Sequence, residues 1–540
     1  MRIKLLLFLI IPFTLTAQTI WENPQNEVYN YLNRLSQKGF IDFQDIIQPV
    51  SRQQITDALL QLTGKSNELS AIEKKELYFY LQEYKPINGT DSTKAHFIKK
   101  DENNRLRGLY IHSKDFQLNA DPIGSIINVS GGGFNFVQMS QGLQFWGKSK
   151  GFGFQFYYRD YTETGKGLDS FRTESPEPGI VQLLKTGNTS QNYTEIRASI
   201  SYSWKNGAIS LGKDYLQWGY GENGRIVLSN KAPTYPYIRF DYAPFKWLRF
   251  NYTHAWLNSN IIDSNAIYNT GTINSGSGDI RFQYIEKYMA THSLLFKPTK
   301  GLDIAIGESI VYSDKIDVGF LIPLNFFKIY DNNRSNYRIN AGSNGQFFLQ
   351  ASSRNHLKNT HLYASLFIDE IRVTQINNPA KSRNQVGYTI GGSVTDMPLK
   401  YFTAGIEYTR VNPYVYSNLL PTQTYAQYAD PLGDWMGNNF DRITLFAKYT
   451  PFPKLKTYCR YQIIRKGGTG TIQDQYLSEP QPSFLFDYQY KRNDLFVKAS
   501  YELINNFYLI GSYQYSVQAP TASASTKRST IQVGITYGLK

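Results

Sequence analysis

The sequence predicts an all-β membrane barrel of about 18 antiparallel strands, with a small N-terminal α-helical head that plugs its periplasmic side. Aromatic residues make up 15% of the chain, although its mean hydropathy is only −0.42. From about residue 105 onward, apolar and polar residues alternate with a period of two, and the connections between these segments alternate between short and long. A membrane barrel produces this combination because only every second residue of a strand faces lipid.

The first residues have the features of a secretory signal peptide, which we assign to residues 1–17. Arg2 and Lys4 precede a short apolar stretch, and Ala17 ends a small-residue exit. The stretch is shorter than the roughly 20 residues of a membrane-spanning helix. We therefore expect export with cleavage after Ala17. The structural alternative is a buried N-terminal helix.

Residues 18–104 are predicted to form a helical periplasmic head and a linker. Apolar residues recur at helical spacing over 28–35. Ser51 and Ser70 each open a Ser-x-x-Gln/Glu capping box in front of an amphipathic segment, which predicts two further helices. Residues 88–104 are polar and charged, so their composition predicts an irregular linker.

Residues 105–540 are predicted to form the barrel. In residues 195–204, Ile, Ala, Tyr and Trp side chains alternate with Glu, Arg and Ser side chains, and residues 442–449 and 531–537 repeat this pattern. Such alternation predicts one face toward lipid and one toward the lumen. The pattern is mixed between Asp303 and Tyr312, where the sequence leaves the facing of the side chains open.

Two lengths of connection follow one another along the barrel. Short connections such as 205–207 and 451–454 alternate with long ones such as 218–235, 313–345 and 411–439. Bacterial barrels have short periplasmic turns and long extracellular loops. A soluble propeller would also alternate apolar and polar residues, but it has no reason to place its long connections on one side.

The strand count follows from parity. A periplasmic head and a periplasmic C-terminus require an even number of strands. A simple count gives nineteen, because residues 484–490 resemble a strand of their own. Treating them as the outer end of the strand that runs through Leu503 gives eighteen.

The charge and the cysteine content restrict the possible partners. The net charge is +14, which favours anionic partners such as lipopolysaccharide phosphates or acidic polysaccharides. Cys459 is the single cysteine, so an intrachain disulfide is excluded. An exported barrel without a nucleic-acid motif is not expected to bind nucleic acid. We expect a monomer in the outer membrane, in contact with lipid and lipopolysaccharide, and no cofactor.

Three stretches resemble a known family. They are LGKDYLQWGYGENGRIVLSNKAPTYPYIRFDY (211–242), GFLIPLNFFKIYDNNRSNYRINAGSNGQFF (319–348) and LGDWMGNNFDR (432–442). With the predicted head and strand number, they resemble the Wzi family of outer-membrane capsule-assembly proteins over essentially the whole mature chain. The resemblance implies a lectin that anchors capsular polysaccharide to the cell surface. Related surface proteins of gliding bacteria imply an alternative role in adhesion or gliding motility.

The long loops contain groups that bind sugars. Aromatic faces pack on the C–H surfaces of sugars, planar polar groups bond hydroxyls, and Arg matches a carboxylate with two hydrogen bonds. Each residue also has an ordinary structural reading, as a girdle or loop-core aromatic or as a turn former. The candidate polysaccharide-binding residues are Trp218, Tyr220 and Arg225, then Tyr330, Asn332, Arg334 and Arg338, and finally Asp434, Trp435 and Asn438.

Other functions find less support in the sequence. Residues 331–333 lack the spaced acidic pattern of a calcium loop, so no metal is expected. Neither a Gly-x-Ser-x-Gly elbow nor a His-Glu-x-x-His motif occurs, so no catalytic residue is assigned and an outer-membrane hydrolase is disfavoured. A passive porin is a further alternative. Lumen-facing charges, among them Arg197, Arg442 and Lys448, instead predict an interior ion-pair network that helps to plug the barrel.

Overall fold

The structure is a computed structural model. It describes residues 19–87, 92–168, 189–271, 280–336, 342–371, 373–375, 377–378, 380–471 and 478–538. The predicted signal peptide at 1–17 lies outside these residues.

Eighteen antiparallel strands form a closed barrel, as predicted. The strands are β1 (Phe116–Gly131), β2 (Phe134–Ser149), β3 (Phe152–Lys166), β4 (Ser190–Trp204), β5 (Gly207–Asp214), β6 (Tyr235–Phe245), β7 (Leu248–Ile262), β8 (Tyr284–Thr299), β9 (Leu302–Ser313), β10 (Asn344–Arg354), β11 (Thr360–Ile371), β12 (Asn384–Thr395), β13 (Phe402–Val411), β14 (Phe440–Phe452), β15 (Leu455–Lys466), β16 (Tyr490–Ile504), β17 (Phe507–Pro520) and β18 (Thr526–Tyr537). Each strand pairs with the next in chain order. Strand β18 closes the barrel on β1, with Tyr537 opposite Gly124 and Thr530 opposite Gly131.

A hairpin precedes β1 and corrects the prediction of an irregular linker over 88–104. Its strands are Lys94–Lys100 and Leu106–His112, which pair antiparallel with one another. Leu109–His112 then pairs with Gln117–Ala120 at the start of β1. Charged composition did not prevent a strand here, because pairing to a neighbouring strand satisfies the backbone whatever the side chains are.

The head consists of helices α1 (Glu27–Gln37), α2 (Arg52–Thr63) and α3 (Ala71–Tyr84). The capping box at Ser70 is complete, since its side chain accepts from Glu73 N and Glu73 bonds back to the Ser70 amide. At Ser51 only the first half forms, because Gln54 donates its side-chain amide to Gln44 O. The three helices share one core, whose fully buried members include Leu32 and Leu59.

The head lies against the end of the barrel where the short turns are. Arg34 pairs with Asp396 in one short turn at 3.1 Å, and Glu76 pairs with Lys456 beside another. Tyr537 ends the last strand at this same end, since it lies opposite Phe507 just after the turn at 505–506. The short-turn end, the head and the C-terminus therefore share the periplasmic side. No helix among the described residues combines the length and apolarity that a membrane-crossing helix requires.

Alternate strand residues face outward and form an apolar belt. Ile200, Leu445 and Val533 are 50%, 46% and 60% exposed, whereas the intervening Ser201 and Arg442 are buried against the interior. The face assignment predicted for these strands is therefore confirmed. Outward side chains of this kind are those that contact lipid in a membrane barrel.

Candidate functional site

The connection between β5 and β6 turns into the barrel. This inward segment (residues 215–234) forms a short antiparallel ladder with the head, in which Trp218 lies opposite Ile47 and Gln217 opposite Gln48. Trp218 is 1% exposed. A connection that by its length is an extracellular loop thus passes through the lumen and binds the periplasmic plug.

Asp45 of the head joins three parts of the molecule. It forms an ion pair with Arg354 at the foot of β10 at 2.6 Å, and it accepts hydrogen bonds from Tyr220 Oη at 2.7 Å and Asn33 Nδ2 at 2.9 Å. Burial would raise the pKa of Asp45, but the Arg354 guanidinium and these donors outweigh it and lower the pKa to about 2. The carboxylate thereby holds the head, the wall and the inward segment together.

A second long connection, the lid (residues 412–439), packs on the inward segment. Tyr416 and Tyr425 donate their hydroxyls to the carbonyl oxygens of Ile226 and Val227 at 2.7 and 2.9 Å. Trp435 Nε1 donates to Asn223 O at 2.6 Å. Together these bonds attach the lid to the inward segment at several points along its length.

The lid is also fixed to the wall. Asp434 pairs with Arg442 of β14 at 2.7 Å, and both side chains have 0% exposure. Either charge alone would be buried without a partner, so the pair holds the lid in one position on the wall. Tyr416, Leu432 and Phe440 belong to the same apolar core as Trp218.

Luminal charges form the predicted interior network. Glu222 of the inward segment pairs with Lys448 at 2.9 Å, and its backbone N–H donates to Glu407. Arg197 pairs with Glu195 at 3.0 Å. The inward segment is therefore bonded to the barrel wall as well as to the head.

Small polar cavities remain beside the plug. One, of about 190 Å³, lies between α1 and the inward segment and is lined in part by Tyr220, Arg225, Arg354 and His361. Two further cavities of about 280 and 150 Å³ border the head. All three volumes lie below the roughly 300–1,000 Å³ of typical ligand pockets, the largest of them only slightly.

The second candidate loop lies elsewhere. Tyr330 Oη donates to Asp317 Oδ1 at 2.7 Å, and Arg334 pairs with the other oxygen of Asp317 at 2.5 Å. Both side chains thus stabilise the fold of their own loop. Asn332 is exposed, and Arg338 lies outside the described residues.

The structure therefore brings together two of the three predicted loops and separates the third. Trp218, Tyr220 and Asp434 are buried, as is Asn438, whose side chain donates to Ser417 Oγ at 3.2 Å. Trp435 is half-buried on the inward segment. These burials reflect loops that fold inward, which loop length does not reveal.

Several residues of this arrangement were not predicted from the sequence. Asp45, Arg354 and Tyr425 are central to the plug and lid, and Tyr428 is 36% exposed at the lid surface. The aromatic-rich stretch around Tyr425 was a usable signal for the lid. For Asp45 and Arg354, which are 309 residues apart, the sequence offered none.

Within the portion of the chain that the structure describes, no three His, Cys, Asp or Glu side chains cluster as a metal site would require. The fold and its contacts define an integral outer-membrane β-barrel whose lumen is closed by a helical plug, an inward segment and a lid.

Comparison with known proteins specifies the family. The model of the family "capsule assembly protein Wzi" matches residues 181–519, well over half of the chain, and the chain belongs to this family. Wzi of Escherichia coli, whose structure is presented as that of an outer membrane protein involved in group 1 capsule assembly and a carbohydrate-binding β-barrel, has the same fold. The two share 12% identity with a TM-score of 0.58, over 97% of this chain and 100% of that one.

Pseudomonas aeruginosa barrels are less similar. OccK3 (OpdO) shares 12% identity over 78% of this chain and 95% of its own, with a TM-score of 0.42. OprD shares 10% identity over 83% of this chain and 98% of its own, with a TM-score of 0.43. No curated protein sequence matches the chain.

Proposed function

We propose that this protein is a non-enzymatic surface lectin that retains capsular or another surface polysaccharide on the cell through its extracellular face. The observation that carries the proposal is the closed lumen, in which Asp45, Tyr220 and Trp435 connect the head, the inward segment and the lid. A long polymer therefore meets the loop face. Membership of the family and the carbohydrate binding of E. coli Wzi support the same function.

We place the polysaccharide on the lid. Trp435 is half-buried there and Tyr428 is exposed, so both offer aromatic faces of the kind that pack on sugar rings. Asn332 and Arg338 remain predicted contacts. Trp218, Tyr220, Asp434 and Asn438 act instead through the packing and bonds that hold the lid and the inward segment. Arg225 lines a cavity beside the head, and we assign it the same supporting role.

Deletion of the gene in its own bacterium tests the function. Cell-bound and shed polysaccharide are measured with and without the protein, and we expect the bound fraction to fall and the shed fraction to rise. An unchanged distribution would remove polysaccharide anchoring. If adhesion or gliding is lost while the distribution is unchanged, the motility and adhesion alternative replaces it.

Substitutions on the lid test the location. Trp435→Ala and Tyr428→Ala should reduce retention of the polysaccharide by complemented cells. The matched control is Tyr78→Ala, which removes an aromatic side chain that is 65% exposed on the periplasmic head. Shifted electrophoretic mobility on heating confirms that each variant has a folded barrel. Normal retention in both lid variants would place the site elsewhere.

A passive porin would conduct ions, so planar-bilayer recording separates this alternative. We expect the wild-type protein to conduct at most in rare, brief openings, because the plug and the inward segment occupy the lumen. A stable open channel would contradict the proposal.

We further propose that the lipid partner is lipopolysaccharide and that the protein is a monomer. At the outer end of β15, Arg465 pairs with Asp441 while its side chain remains 49% exposed, and Lys491 on the adjacent strand is exposed as well. Cations at this level suit lipid phosphates. Combined Arg465→Ala and Lys491→Ala should lower the co-purified lipopolysaccharide phosphate, and sedimentation of the detergent-solubilised protein tests the monomer.

A further inference from the structure

Part of the outward wall of the barrel is polar and buried. On β7, Arg249 bonds the head and Ala255 packs in the luminal core, so both residues face the lumen. The residues at alternate positions between them therefore face outward. By this alternation Tyr252 and His254 face outward, yet they are only 4% and 0% exposed. The neighbouring Ile306, which also faces outward, is 53% exposed. Another part of the protein must therefore cover Tyr252 and His254.

The same holds for the two adjacent strands. Lys297 of β8 pairs with Asp42 of the head, and Gln44 of the head bonds Asp303 of β9, so both residues are luminal. His292 and Glu308 therefore point outward, and Glu308 is 3% exposed. This carboxylate on the lipid side is the reason why the alternation between Asp303 and Tyr312 appears mixed in the sequence.

The covering element is the connection after β9. This flap (residues 314–336), which contains helix α4 (Phe327–Asn336), folds down against the outside of β7, β8 and β9. Tyr252 donates its hydroxyl to Phe320 O at 2.8 Å, and a ring nitrogen of His292 lies 3.0 Å from Pro323 O. The Tyr312 ring packs on Phe320 with 4.7 Å between centroids.

Glu308 seats the helix of the flap. Its two carboxylate oxygens accept the backbone N–H groups of Phe327 at 3.1 Å and Lys328 at 2.5 Å. These N–H groups begin α4 and would otherwise lack partners, and a carboxylate there also complements the helix dipole. Each outward polar group named here is thus bonded to the flap or packed beneath it.

The contact between Glu308 and the flap lies deep in the wall of the barrel. Glu308 lies near the middle of β9, whose residues run from Leu302 to Ser313. About 9–11 strand residues span the hydrocarbon layer, so the middle of a strand lies well inside it. The base of the flap therefore lies far below the outer surface of the membrane.

The outer surface of the flap has the composition of a lipid contact. Val318, Leu324 and Phe326 are 69%, 78% and 64% exposed. They continue the apolar belt formed by Ile306 and its neighbours. The exposed polar side chains of Asp314, Lys315, Asn332 and Asn333 lie instead toward the two ends of the flap, next to the top of the wall.

We propose that the flap is inserted into the outer leaflet of the membrane, where its outer surface contacts lipid acyl chains and its inner surface shields Glu308 and His292 from them. Irregular backbone at this depth is tolerated where protein satisfies it, as the wall does here. The lipid-facing perimeter of the barrel is consequently wider at β7–β9 than elsewhere, and Tyr330 and Arg334 stabilise the flap through Asp317 and do not contact the glycan.

Single-cysteine variants in a Cys459→Ser background test the insertion after reconstitution into vesicles. Leu324→Cys in the flap is compared with Ile306→Cys on the belt and with the matched control Leu419→Cys, an exposed leucine of the lid. We expect Leu324→Cys and Ile306→Cys to react with a membrane-impermeant maleimide at least about tenfold more slowly than Leu419→Cys, because thiolate formation requires water. Equal reactivity of Leu324→Cys and Leu419→Cys would overturn the proposal.

Acyl-chain contact is measured separately, by quenching of a bimane on each cysteine with lipids brominated along their chains. Quenching at Leu324→Cys like that at Ile306→Cys supports the proposal. Protection from maleimide without quenching, together with a disulfide-linked dimer, would replace lipid by a second copy of the chain and overturn it. In the Glu308→Ala variant we expect faster maleimide labelling at Leu324→Cys, whereas Glu308→Gln should restore part of the protection.

Discussion

Removal of the Asp45 carboxylate is the sharpest test of how the barrel is closed. The ion pair with Arg354 measures 2.6 Å, and the two side chains are 1% and 3% exposed. Asp45→Ala leaves the guanidinium buried without its partner, a change that typically destabilises by about 3–5 kcal/mol. The lowering of the Asp45 pKa to about 2 corresponds to a net stabilisation of its charged form by roughly 2 kcal/mol, a smaller figure because it includes the cost of burial.

The assay is ion conductance across a planar bilayer, since the head must leave its seat before ions pass. If the destabilisation falls on docking of the head, 3–5 kcal/mol raises the open fraction by roughly a hundredfold to a few thousandfold. Asp57→Ala is the matched control, because Asp57 is an exposed carboxylate on α2 of the same head. Equal open fractions in Asp45→Ala, Asp57→Ala and the wild type would refute the role of the ion pair in closure.

Three further predictions concern the head and the lid. Burial would raise the pKa values of Asp45 and Glu83, but neighbouring arginines outweigh it and lower both to about 2, so docking should weaken as the pH falls from about 5 toward 2. Conductance recorded at decreasing pH checks this, and weakening between pH 7 and 5 would contradict it. Ser70→Ala removes a capping box and should destabilise the head by about 1 kcal/mol, measured by denaturant titration against Asp57→Ala. Gly224→Ala places a Cβ 2.3 Å from Asp434 Oδ2, so it should reduce polysaccharide retention while the barrel still shows its heat-dependent mobility shift.

The sequence predicts the wall of the barrel well, because the alternation of apolar and polar residues within each strand indicates which face contacts lipid. The alternation in residues 195–204 and 531–537 is confirmed by exposed isoleucines and buried polar partners. The count of eighteen strands is also confirmed. It could be predicted because parity and loop length are properties of the whole chain. The capping signal at Ser70 is local and was readable for the same reason.

The candidate site was less predictable, because loop length and composition do not reveal the direction in which a loop folds. Three long, polar and aromatic loops looked alike in the sequence. One passes into the lumen to reach Ile47, one covers it through Tyr416 and Tyr425, and one lies on the lipid face at Glu308. The first two directions depend on partners well over a hundred residues away, and the third depends on the side chains of the strands just before the flap.

By itself, then, the sequence determined a closed eighteen-stranded membrane barrel with a helical periplasmic head. The alternation of apolar and polar residues along each strand follows from the two environments, lipid and lumen, that the wall separates. Only the tertiary structure decided how the barrel is closed and which loop residues stay accessible. The Asp45–Arg354 pair and the burial of Trp218 arise from contacts between distant segments, and no local periodicity records such contacts.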